Sequence, residues 1–172
     1  MTTVLVGDPP AELQAWLDRR RELGQDGFDE MWDGVYHVAP MAHGRQGRTE
    51  DEVAGALRTP ARAAGLYGSG PVNVGSPGNY RVPDRVYLRT RETALWNPTG
   101  AIVVEILSPN DESRQKFGFY FAAGVEEMLL VDPLARTVEW FVRGADAFVP
   151  VQGSALLDVT AAALAGEIEW PD

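Results

Sequence analysis

The amino-acid sequence predicts an α/β (α+β) fold, a mixed β-sheet flanked by helices and closed by a C-terminal antiparallel meander. Three observations carry that reading. Residues 101–107 form the most apolar run of the chain, and a strand that is apolar on both faces belongs at the centre of a sheet. Up to about residue 123, stretches with helical spacing of apolar residues alternate with short β-rich runs, the pattern of helices laid against a sheet. Three β-rich runs then follow one another with only turns between them, which makes a meander.

The first helix covers about residues 9–23. Asp8 can cap it, Pro9 and Pro10 fit its first turn, Gly24 stops it, and Leu13, Trp16, Leu17 and Leu23 supply the stripe expected to be buried. Strands at 28–32 and 35–39 are joined by Asp33-Gly34, a strong hairpin signal. Thr49 and Glu52 have the spacing of a capping box, which opens a second helix running to about Ala64, with Val53 and Leu57 inward. Pro60 is expected to shorten or kink it. The Gly- and Pro-rich stretch 65–78 interrupts the pattern, and strands at 79–82 and 85–89 flank Pro83-Asp84. After the central strand, Ser108-Pro109 is a break, and a helix over about 111–123 ends at Gly124. Strands at 127–131, 137–143 and 147–151 form the meander, and a short helix near 160–165 follows.

A chain of 172 residues, 45% of them hydrophobic, has the size of one domain, 1–172, with a real core. It has no cysteine, which excludes disulfides and thiolate zinc. No apolar run approaches the ~20 residues of a membrane span, and no secretory leader is evident, so the expectation is a cytoplasmic protein without a membrane partner. The net charge of −10 argues against general affinity for nucleic acid, whose binding is dominated by phosphate neutralisation. Its distribution softens that argument, because residues 126–172 carry nine acids against two arginines and residues 1–125 carry sixteen acids against thirteen bases. A modest local basic surface is therefore compatible with the composition.

The candidate chemistry centres on Lys116, the only lysine beside fourteen arginines. It follows Glu105, a carboxylate inside the most apolar strand, and Asp84 lies upstream after a proline. Two carboxylates and one lysine are the minimum set for metal-dependent phosphodiester hydrolysis: the acids hold the cation, and the ammonium orients the attacking water or steadies developing charge. Alternation places Ala101, Val103, Glu105 and Leu107 on one face, where a carboxylate is costly unless a cation or donors meet it. Each residue also has a plain structural reading. Glu105 can pair with an arginine near a strand end, Asp84 can be a turn residue, and Lys116 has the spacing of a helical ion pair with Glu112. On spacing alone, solvated and catalytic readings of Lys116 stand level. Arg45 and Arg48, among glycines before a helix, are either phosphate contacts or ordinary surface arginines. Tyr87 and Trp96, near Arg85, Arg89 and Arg91, are candidate base-stacking residues, and His37 reads as a half-buried strand histidine.

Pro83-Asp84, the run Val103-Val104-Glu105-Ile106-Leu107-Ser108-Pro109, Asp111-Glu112-Ser113 with Lys116, Tyr120, Gly124-Val125-Glu126-Glu127 and Leu130-Val131-Asp132-Pro133 together resemble the Uma family of putative restriction endonucleases, bacterial proteins of the PD-(D/E)xK nuclease superfamily. Glu30-Met31-Trp32-Asp33-Gly34 resembles that family's hairpin, and His43 a histidine found shortly after it. The resemblance covers roughly residues 20–172 and implies a restriction-endonuclease-like fold. It also implies that Asp84, Glu105 and the backbone carbonyl of Ile106 hold Mg²⁺ (or Mn²⁺), and that Lys116 replaces the usual lysine two residues after the glutamate, where this chain has Leu107. Glu30 is implied as a further acidic residue near the metal. Met31-Trp32 is bulkier than the aliphatic pair expected in that hairpin, and the loop before Arg48 is compressed.

The leading functional expectation is thus a Mg²⁺-dependent endonuclease acting on DNA, with catalytic residues Asp84, Glu105, Lys116 and Glu30, working as a homodimer. The alternatives are a non-catalytic dimerisation or partner-binding module, and a metal-dependent hydrolase of a small phosphorylated or nucleotide substrate.

Overall fold

The structure is a computed structural model that describes residues 3–5, 7, 9–109 and 112–172. Its strands divide between two six-stranded sheets and a short ribbon, where the sequence suggested one mixed sheet. The first sheet takes β1 (Thr3–Leu5), β2 (Glu30–Trp32), β3 (Val35–Val38), β5 (Asn73–Ser76), β6 (Asn79–Arg81) and β8 (Trp96–Asn97). The second takes β4 (Tyr67–Ser69), β7 (Arg85–Leu88), β9 (Ile102–Ile106), β10 (Glu127–Asp132), β11 (Thr137–Arg143) and β12 (Phe148–Val151). The ribbon pairs β13 (Gly153–Ser154) with β14 (Val159–Thr160). The helices are α1 (Ala11–Glu22), α2 (Gly44–Ala63), α3 (Phe117–Ala122) and α4 (Ala161–Glu167), and a 3-10 turn, Ser113–Lys116, leads into α3.

The central strand is β9, buried along its whole length as its composition requires. It runs parallel to β10 and antiparallel to β7, and β10, β11 and β12 form the expected meander. Its alternation separates two cores. Ile102, Val104 and Ile106 pack with Val53 and Leu57 of α2 and Leu164 of α4, whereas Val103 packs with Tyr120, Met128 and Phe141. Asp33 and Gly34 both adopt positive φ, 49° and 86°, the turn geometry that matches strand twist in a two-residue hairpin.

Several local expectations change. The proposed buried stripe of α1 is not buried: Trp16 and Leu23 are exposed and Leu13 and Leu17 only partly covered. That helix is tied down by charge instead, with Arg20 bonding buried Asp29 at 2.9 Å. Its Asp8 cap and the Asp111 start of the later helix lie outside the described residues. The second helix begins at Gly44, well before Thr49, and His43 caps it by accepting from the Arg45 amide. Thr49 is an interior residue whose hydroxyl donates to the Arg45 carbonyl one turn back. Low-propensity Gly44 and Gly47 are carried into the helix by tertiary anchors rather than by local preference. Pro60 sits in the last turn, where little helix remains for it to disrupt. The stretch 65–78 contains β4 and β5, which its glycines and prolines concealed. The helix expected over 111–123 is shorter, a 3-10 turn followed by six α-helical residues. Tyr87 is fully buried and cannot stack on a base, and Trp140 and Phe141 belong to the core. No helix among the described residues is long and apolar enough to cross a membrane.

One buried polar contact outside the carboxylate cavity shows how closely the meander is specified. The Trp140 indole N–H donates to the Glu127 carboxylate at 2.7 Å, and both residues are buried. Replacing Trp140→Phe leaves that carboxylate short of a donor and removes ring volume, so it should cost about 2–4 kcal/mol in urea unfolding. A change below about 0.5 kcal/mol would show that Glu127 does not depend on the indole.

Candidate functional site

The chain crosses from the first sheet to the second at Val82-Pro83-Asp84, between β6 and β7, and the site is built at that crossing. Strand β7 stops pairing with β9 at Arg85↔Val104, so the next outward amide of β9 has no strand opposite it. The Asp84 carboxylate takes its place: Ile106 N–H donates to Asp84 Oδ2 at 2.7 Å. The other oxygen accepts from Gln46 Nε2 at 2.6 Å, from the first turns of α2. An aspartate at this position therefore completes the sheet edge and is held from two sides.

Glu105 points to the β9 face opposite α2, is 3% exposed, and accepts from the Tyr120 hydroxyl at 2.7 Å. Lys116 Nζ lies 3.2 Å from the same carboxylate and 2.9 Å from Glu30 Oε1. Glu30 is buried too, and accepts from Val82 N–H at 2.8 Å and from the Trp32 indole at 2.6 Å. The ammonium is thus spent on Glu30 and Glu105, not on Glu112, and the solvated helical pair is ruled out. Glu30, expected near the metal by resemblance alone, is as close to the ammonium as Glu105 is. The 3-10 turn makes this possible, because it presents Lys116 and Tyr120 to one carboxylate from a short connection.

The electrostatics follow from burial. Burial drives the Glu105 carboxyl up to about 8, against the pull of Lys116, with Asp84 and Glu30 adding to the rise. Burial works against the Lys116 ammonium, but Glu105 and Glu30 outweigh it and hold the lysine above its usual range. Tyr120 is raised well above the ordinary phenol by burial and then by Glu105, so it remains a donor. His37 is lowered, chiefly by burial, and its neutral ring stacks on Trp32 with centroids 4.1 Å apart. Buried Arg81 is a second cation nearby, sandwiched between the Trp32 and Phe119 rings at 4.5 and 4.1 Å.

Glu30, Asp84, Glu105, Ile106 and Lys116 all line one cavity of about 150 Å³. The donor set suits a hard cation. Two carboxylates beside a main-chain carbonyl are what Mg²⁺ takes while keeping several waters. Among the described residues no group of three or more His, Asp or Glu side chains is placed to hold a metal ion, so any ion here would rest on the two carboxylates, the carbonyl and water. Other sequence candidates fall elsewhere: His43 is a helix cap, and the Arg45 guanidinium donates to the Asp172 backbone oxygen. Gln46 and Trp32 escaped sequence reading, the first because its stretch looked like a loop. Tyr120 did carry a signal, four residues after Lys116 on the same stripe.

The fold and this site define a nuclease-like α/β protein. Residues 11–169 match the Uma2 family model, described as a putative restriction endonuclease, and the chain belongs to that family. Its fold is similar to the crystal structure of a putative nuclease belonging to DUF820 from Anabaena variabilis ATCC 29413, with a TM-score of 0.66. That likeness covers 81% of this chain and 90% of the other at 18% identity. No curated protein matches the chain significantly.

Removing the shared ammonium should be costly. Lys116→Met leaves two buried carboxylates without their cation, a change of about 3–5 kcal/mol in chemical unfolding at neutral pH. Lys116→Arg keeps the charge but must fit a wider group where the side chain is 12% exposed, so it should cost about 1–3 kcal/mol rather than being neutral as at a surface site. Wild-type stability in Lys116→Met would contradict the buried arrangement.

Proposed function

We propose that this protein is a divalent-metal-dependent nuclease that cleaves DNA at the Asp84–Glu105–Lys116 site. The observation that carries the reading is the largely buried Lys116 ammonium, shared by Glu30 and Glu105 in the cavity that Asp84 also lines. Asp84, Glu105 and the Ile106 carbonyl are the residues that would hold Mg²⁺ or Mn²⁺. When bound, such an ion would supply an activated water and neutralise charge on the phosphoryl oxygens.

Every other contribution comes from the chain. Ile106 N–H and Gln46 fix the Asp84 carboxylate, and Tyr120 fixes Glu105 through its Oε1. The Glu105 charge, unfavourable in its buried setting, is relieved by a second cation, which makes the site receptive to metal. Glu30 holds Lys116 Nζ together with Glu105, leaving the ammonium positioned to orient a water or donate to a phosphoryl oxygen. Val82 and Trp32 hold Glu30 in turn, so the lysine rests on a rigid support.

The cavity favours a polymer over a small substrate. At about 150 Å³ it is well below the roughly 300–1,000 Å³ of sites that enclose a ligand. A phosphate can enter while sugar and base stay outside, as for a strand passing over the opening.

The test is cleavage of plasmid and oligonucleotide DNA with Mg²⁺ or Mn²⁺, run below the melting temperature of every variant. Cleavage should require the metal, stop with chelator, and vanish in Asp84→Asn and Glu105→Gln. Lys116→Arg should lose on the order of 10²–10³ in rate, as when one positioned electrostatic donor is removed. Equal cleavage by wild type and folded Lys116→Arg, or cleavage that survives Asp84→Asn, would overturn the assignment.

A further inference from the structure

On the α2 side of the second sheet, away from the carboxylate cavity, lies a recess of about 280 Å³ between α2, β4 and β7. Its walls carry Arg58, Arg62 and Arg85, three guanidiniums in a chain whose net charge is −10. Arg85 is engaged by Glu50 at 2.8 Å. Arg58 and Arg62 are exposed, stand one turn apart on α2, and make no ion pair among the described residues. Like charges at that spacing repel, so the pair is unfavourable until an anion joins them.

The floor of the recess supplies the second observation. Tyr87 is 1% exposed, and its buried hydroxyl finds no acceptor for its proton. The nearby Arg85 can only donate, so the phenolic proton has no acceptor at all. A buried unpaired donor is uncommon enough to require a cause. Burial pushes the Tyr87 hydroxyl up to about 12, against the pull of Arg85, and it stays a protonated donor. The recess is kept open by Gly68 of β4. A Cβ there would fall 2.9 Å from Arg85 Nη1 and 3.0 Å from the Tyr87 ring. Two free guanidiniums, a third held by Glu50, and an O–H lacking an acceptor call for a ligand that is doubly anionic or nearly so and rich in acceptor oxygens.

We propose that this recess binds a phosphate group. The same chemistry can come from a backbone phosphate of a nucleic acid or from a small phosphorylated molecule. Arg58 stands twelve residues along α2 from Gln46, about 18 Å at 1.5 Å per residue, so one strand can touch both the recess and the carboxylate cavity. The recess is defined without reference to cleavage, and its test needs no activity.

The experiment titrates the metal-free full chain with inorganic phosphate while following the arginine Nε–H resonances. Saturable shifts should appear in wild type and in the control Arg19→Gln, and disappear in the double variant Arg58→Gln/Arg62→Gln. Tyr87→Phe should remain folded by thermal melt, because the ring stays and the phenolic proton has no acceptor to lose, yet bind phosphate on the order of tenfold more weakly. A second arm measures a short oligonucleotide by fluorescence anisotropy in chelator. If the backbone is the source, the double variant binds it more weakly, and the log–log salt slope shrinks by about 0.7–0.9 for each phosphate no longer neutralised. Unchanged oligonucleotide affinity with abolished phosphate binding would assign the recess to a small phosphorylated ligand. Identical phosphate titrations of wild type and the double variant would overturn the proposal, whether or not the protein cleaves DNA.

Discussion

One ammonium group is shared by two buried carboxyl groups that come from different sheets, and much of the molecule is arranged to allow that sharing. Glu30 belongs to β2 of the first sheet, Glu105 to β9 of the second, and Lys116 Nζ is within 3.2 Å of both. A buried ion cluster of this kind is poor value for stability alone, since well-packed apolar side chains of similar volume often serve as well or better. Around the lysine the chain adds further donors, the Trp32 indole and Val82 amide to Glu30 and the Tyr120 hydroxyl to Glu105. Such a set fixes the two carboxyl groups in place and brings them to one cavity. It is the arrangement of a site that acts on charge, not of a core that merely packs.

The crossing between sheets explains why Asp84 stands where it does. Had β7 continued back by two residues, its backbone would have taken the Ile106 amide and no carboxylate would be needed there. The strand ends, a proline precedes the aspartate, and the side chain completes the ladder. Helix α2 then links that corner to the rest of the protein. Its first turns deliver Gln46 to Asp84, its middle buries Val53 and Leu57 against β9, and its last turns carry Arg58 and Arg62. A protein with most of its net negative charge after residue 125 keeps Arg58 and Arg62 together on this helix.

What was legible in the sequence was whatever depends on local pattern. The apolar run 102–106 could only be a central strand, Asp33-Gly34 could only be a tight turn, and a carboxylate set among valine, isoleucine and leucine demanded a partner. Which partner was not legible, because spacing offered Glu112 to Lys116 as readily as Glu105. The length of the 3-10 turn decided that, and nothing in Ser113–Lys116 declares it. The split into two sheets, the early start of α2 and the exposed α1 all depend on contacts distant in sequence. Arg20 with Asp29, and Gln46 with Asp84, hold segments whose own propensities point elsewhere. Family membership narrowed the roles of the site residues, but the supports from Trp32, Gln46 and Tyr120 came from geometry.

Having one lysine makes the central claim open to a single-resonance measurement. Protein labelled with ¹⁵N only at lysine Nζ should give one side-chain ammonium signal, from Lys116, slow to exchange with water because it is largely buried and bonded to Glu30 and Glu105. Stoichiometric Mn²⁺ should broaden that signal, and Asp84→Asn should remove the broadening while leaving the signal itself in place. A rapidly exchanging, solvent-like ammonium that ignores Mn²⁺ would contradict both the buried arrangement and the metal site beside it.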